Sequence, residues 1–159
     1  MTVTMDDGTG GALYFYLETA RPVQEGFKQV LTQLAGCSLL VMTRSGPATR
    51  PDAAMRLARA AADNAHEQLR ALRVPAEAAH HFHHLRQLSE AIGWAFRALG
   101  SCTEPQASDA DRDELTLALK TATRHLRATA AILPGFETVD FGQACCAVHH
   151  AAGLTVQAG

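Results

Sequence analysis

"SDADRDELTLALKTATRHLRATAAILPG", residues 108–135, carries the reading of the fold. Within it Leu115, Leu119, Ala122, Leu126, Thr129 and Leu133 recur in alternating steps of four and three. At about 100° per residue these steps fall on one narrow stripe of a helix. Ser108 or Asp109 can cap free backbone amides at the start, the neighbouring acids complement the helix dipole, and Pro134 with Gly135 ends the segment. The spacing predicts a helix over Asp111 to Leu133.

Two preceding segments repeat the pattern. From Pro51 to Arg73 the stripe is made of small residues, Ala54, Ala58, Ala61 and Ala65, and ends on Leu72. An alanine stripe lets a neighbouring backbone come close, so tight packing rather than a roomy cavity is expected there. Arg56, Arg59, Asp63, Glu67 and Arg70 occupy the other face at helical spacing, as on a solvated surface. The segment from Pro75 to Leu99 has a main stripe of Phe82, Leu85, Ile92, Phe96 and Leu99, and a second of Ala91, Trp94 and Ala98. A helix with two apolar faces is either central in its fold or shared between subunits. An outward Trp94 favours a packed contact, and a homodimer through this helix is the expectation.

The N-terminal third is more ambiguous. Phe27, Val30, Leu34 and Val41 fit a helical face beginning near Pro22, with a break expected at that proline. The runs "ALYFYLET" and "CSLLVMTR", however, are rich in aromatic and branched apolar residues. Residues 12–20 and 37–44 therefore also suit strands, which would form a small two-stranded addition. Helix is preferred for both.

Composition bounds the function. A chain of 159 residues is the size of one domain and, with 47% apolar and 19% charged residues, can bury a core without disulfides or metals. No apolar run approaches the length of a membrane span, and the opening "MTVTMDDGTGG" lacks the charge and apolar stretch of a secretory signal. A soluble, cytosolic, single-domain protein without membrane contact is expected, with residues 1–10 mobile. The 14 basic and 16 acidic side chains nearly cancel, the arginines are dispersed, and only 6% of residues are aromatic, which argues against nucleic acid as a partner. With no secretory context, Cys37, Cys102, Cys145 and Cys146 read as reduced thiols.

Four of the eight histidines fall in "HHFHH", residues 80–84. On a helix they diverge: His81 joins the sector of Leu85, Leu88 and Ile92 and faces the core, His83 points outward, and His80 and His84 stand four apart on the edge of the second stripe. That last spacing lets two imidazoles reach one ion. His125 lies on the flank of the 111–133 helix and is placed to reach inward. In the tail, Cys145 with His149 and Cys146 with His150 repeat the spacing of four, giving ligand pairs that suit zinc, copper or iron.

Other sites fit less well. A di-iron bundle needs two Glu-x-x-His motifs, and only Glu77 with His80 matches. Asp109, Asp111 and Asp113 imitate a calcium loop, but Glu114 and Lys120 stand where its glycine and closing glutamate belong. Cys145 with His149 could pair as nucleophile and base. Phe136, Val139 and Phe141 are large apolar groups among turn residues, so the tail 134–159 is expected to fold back on the bundle.

The reading is an all-α, single-domain antiparallel bundle of four or more helices. The leading function is a non-enzymatic interaction or small-ligand-binding module, dimeric through the Trp94 helix. The alternatives are a metal-binding bundle using His80, His84, Cys145, Cys146, His149 and His150, and thiol chemistry at Cys145 or Cys146.

Overall fold

A computed structural model of the chain describes residues 7–43 and 52–136. They form four helices: α1 (Asp7–Thr43), α2 (Asp52–Ala71), α3 (Ala79–Cys102) and α4 (Asp109–Ile132), with a 3₁₀ turn at Ala76–Ala78. No strand occurs among the described residues: helix, the preferred reading of the two N-terminal runs, holds over residues 12–20 and 37–43, and the alternative two-stranded addition is not seen. Successive helices run in opposite directions. Gly26 of α1 meets Ala65 of α2, Arg59 of α2 lies over the Phe96 ring of α3, and Trp94 and His84 of α3 meet Glu114 and His125 of α4.

α1 corrects the expected break at Pro22 and runs unbroken through it for 37 residues. Its buried apolar stripe is Tyr16, Ala20, Val23, Phe27, Val30, Leu34 and Cys37, alternating steps of four and three across the proline, with Gln24, Leu31 and Ser38 buried beside it. Pro22 removes one backbone hydrogen bond, that to the Glu18 carbonyl, but Glu18 and Pro22 are both exposed, so water can serve that carbonyl. Burial of the stripe outweighs the roughly 3 kcal/mol the proline costs. Tyr14 and Phe15, whose aromatic character suggested a strand, are 66% and 55% exposed on the outer side of the same helix. At about 1.5 Å per residue α1 is some 55 Å long, against about 36 Å for the 24-residue α3 and α4. Of the N-terminal segment expected to be mobile, residues 1–6 lie outside the described residues and Asp7 already begins the helix.

α2 keeps its small-residue face, with Ala58, Ala65 and Leu69 buried. Ala54, expected on that stripe, is exposed in the first turn, and the helix stops at Ala71, short of Leu72. The close approach expected of alanines is completed by α1: a Cβ added at Gly26 would lie 3.3 Å from the Ala65 Cβ. α3 starts one turn later than expected, the 3₁₀ turn occupying Ala76–Ala78, and continues past Gly100 to Cys102. Most of its two apolar stripes is covered from within the chain, with Phe82 and Trp94 left half-buried. Leu85, Ile92, Phe96 and Leu99 are buried in the core, while Ala91 and Ala98 are buried on the side that carries Trp94. Trp94 is half-buried, and its Nε1–H donates to Glu114 Oε1 at 2.7 Å, which gives the indole a partner on α4.

α4 begins with a capping box. The Ser108 side chain accepts from the Asp111 amide, and the Asp111 carboxylate accepts from the Ser108 amide at 2.7 Å. Of the acids that imitate a calcium loop, Asp111 is thus a capping residue and Asp109 pairs with Arg112. After Leu133 the chain turns at Gly135, whose φ of 87° suits glycine, and delivers Phe136 into the core at 3% exposure. The rest of the tail lies outside the described residues. No helix among the described residues is long and apolar enough to cross a membrane.

The α1–α2 contact yields a packing test. Ala65→Leu should lower unfolding free energy in urea by about 1–3 kcal/mol through overpacking against Gly26, while the exposed Ala54→Leu should change it by less than about 0.5 kcal/mol.

Candidate functional site

The histidines separate as helical geometry requires. His81 is fully buried, and its Nδ1 lies 2.7 Å from the Tyr16 hydroxyl of α1. The Phe136 ring covers it at 4.3 Å, and Gln24 of α1, itself buried, donates from Nε2 to the Phe136 carbonyl at 3.1 Å. Burial, reinforced by the neighbouring His84, lowers the His81 pKa to about 4, and burial raises that of the Tyr16 hydroxyl. At neutral pH this is an uncharged polar pin joining α1, α3 and the segment after α4. His81 Nε2 and Gln24 Oε1 have no hydrogen-bond partner among the described residues.

His80, His84 and His125 form a second group, across the α3–α4 seam. His80 Nε2 lies 3.1 Å from His84 Nε2, and the two rings stack with centroids 5.0 Å apart. His84 Nδ1 lies 2.9 Å from His125 Nδ1. His83 is exposed and touches His84 only edge-on, with centroids 5.4 Å apart. His84 therefore turns one nitrogen to each neighbour, and the three rings cannot converge on one ion. No group of three or more His, Cys, Asp or Glu side chains suited to a metal is present among the described residues. The pKa of His84 is lowered by burial and by the positive charge of His125, His80, His83 and Arg124. That of His125 is lowered by burial, Arg124 and His83, against an opposing influence of Glu90.

The other sequence candidates are placed as follows. Glu18, Glu67 and Glu77 are exposed, Glu25 pairs with Lys28, and Glu90 pairs with Arg86, so none of these carboxylates supplies a core ligand. Cys37 and Cys102 are free, buried thiols whose pKa burial raises, the opposite of activation. Cys145, Cys146, His149 and His150 lie outside the described residues.

One feature escaped the sequence reading, which saw only dispersed cations. Lys120, Arg124 and Arg127 of α4 line a groove of about 580 Å³ against Ser38 and Met42 near the end of α1, with Leu119 also in its wall. None of the three cations forms an ion pair with a carboxylate among the described residues. Their spacing of four and then three was visible in the sequence; the opposing wall, some eighty residues away in the chain, was not.

Comparison of the chain with protein-family models, with curated proteins and with solved structures gives no match.

The buried His81 makes stability depend on pH. Its pKa is depressed in the folded chain relative to about 6.5 unfolded, so the unfolded state binds more protons between these values. Stability should be full above about pH 6.5 and fall by on the order of 3 kcal/mol as pH drops toward 4. Urea titrations in EDTA across this range should show the fall, with a smaller slope in His81→Leu.

Proposed function

We propose that this chain is a helical binding module for a small anionic ligand with an apolar body, held in the groove between the end of α1 and α4. The observation that carries this reading is the set of cations, Lys120, Arg124 and Arg127, on one flank of α4 with no carboxylate partner among the described residues. Unpaired cations beside an apolar wall favour a ligand that brings its own negative charge and an apolar surface to cover Leu119 and Met42. The groove volume falls within the range of small-molecule sites. Leu39 and Met42, 63% and 40% exposed, extend the apolar surface at this end of α1. The Thr116 and Thr123 hydroxyls in the lining donate to the Arg112 and Leu119 carbonyls, so the charged head of the ligand is met by Lys120, Arg124 and Arg127.

Laurate displacing anilinonaphthalene sulfonate from the full chain is the direct test. Laurate should compete and the neutral 1-dodecanol should not. The double variant Arg124→Ala, Arg127→Ala should bind laurate at least about tenfold more weakly, equivalent to about 1.4 kcal/mol. Equal binding of acid and alcohol, or an unchanged affinity in the variant, would contradict the proposal.

A further inference from the structure

We propose that His80 and His84 form a two-imidazole clip for a divalent transition metal on the surface of α3, with His125 as the positioning residue that holds His84 in its ligating tautomer. This site is separate from the anionic-ligand groove and does not depend on it.

The distance between the two nitrogens is the first support. Two imidazole nitrogens bound at about 2.05 Å to one ion lie roughly 2.9 Å apart at a right angle and roughly 3.3 Å apart in a tetrahedron. The His80 and His84 Nε2 atoms are 3.1 Å apart, inside that interval, before any ion is added. The spacing of four on α3 and the stacked rings produce this approach without distortion of the helix. His80 is exposed and His84 half-buried, so an ion reaches the pair from solvent and completes its shell with water.

The second support is the far side of the His84 ring. A histidine that ligates through Nε2 carries its proton on Nδ1 and donates it to an outer acceptor, which fixes the tautomer and raises the basicity of the ligating nitrogen. His84 Nδ1 is 2.9 Å from His125 Nδ1, on the opposite helix of the α3–α4 seam. With His125 as the Nε2–H tautomer, its Nδ1 accepts from His84 and leaves the His84 Nε2 lone pair directed at His80. A single N–H to N hydrogen bond between His80 and His84 occupies the same gap without metal, and an ion replaces that shared proton once His80 adopts its Nδ1–H form. The Arg124 guanidinium works against a dication, which makes this an exchangeable site.

The test uses the untagged full chain, stripped with EDTA and titrated with Ni²⁺ by calorimetry at pH 7.5. One ion per chain should bind at this pair, and His80→Ala or His84→Ala should each weaken that binding at least tenfold. His125→Leu should weaken it about tenfold, and His125→Asn, whose Oδ1 can accept in place of Nδ1, should restore it. Paramagnetic Ni²⁺ should broaden the ring signals of His80 and His84 most. The quadruple variant Cys145→Ser, Cys146→Ser, His149→Ala, His150→Ala should keep the site. Wild-type binding in His80→Ala and His84→Ala, or loss of binding in the quadruple variant alone, would overturn the clip. Equal affinities in His125→Leu and His125→Asn would overturn the positioning role.

Discussion

The burial of α3 over a wide arc is the constraint on which the rest of the structure depends. Leu85, Ile92, Phe96 and Leu99 turn to the core shared with α1 and α2, and Ala91 and Ala98 turn to the α4 side. With both sides fixed, the rotation of α3 about its axis is fixed too, and consecutive histidines are sent to different surroundings. His81 enters the core beside Tyr16, His84 enters the seam beside His125, and His83 is left in water. A rotation of one residue step, about 100°, would exchange these roles and bury a different imidazole.

The Tyr16–His81 pair is tolerated inside the bundle because it is uncharged and hydrogen-bonded. The Tyr16–His81 contact joins two helices at a point where a charged imidazole would lack water, so the folded chain keeps His81 neutral. Across the seam, partial burial first and neighbouring positive charge second, Arg124 included, lower the pKa of His84 and of His125. The flank of α4 thus has two consequences. Lys120, Arg124 and Arg127 line the groove proposed for an anion, and Arg124 also adds to the burial that disfavours protonation of His84 and His125.

Much of the helical core was legible in the sequence because steps of four and three report one face. Leu115, Ala122, Leu126 and Thr129 were placed correctly on that basis, as were His81 in the core and the approach of His80 to His84. Helix, the preferred reading of the N-terminal third, holds, and the break at Pro22 is what the structure corrects: the stripe from Tyr16 to Cys37 crosses the proline with its period intact. Tyr14 and Phe15 suggested strand although tertiary burial of their neighbours favours helix. Two stripes on α3 were compatible with either a central helix or a shared surface, and choosing between them requires knowing where α4 packs. The basic groove needed long-range information of the same kind, because its walls come from α1 and α4.

Aspartate substitution along α3 tests the wide-arc burial most directly. Ala91→Asp and Ala98→Asp should each reduce the unfolding free energy by several kcal/mol, or prevent folding, as Leu85→Asp should, because each places a charge in a covered seam. Arg97→Asp, adjacent in sequence and exposed, should be tolerated. If Ala91→Asp and Ala98→Asp proved as stable as Arg97→Asp, α4 would not cover that side of α3, and the placement of His84 against His125 would fall with it.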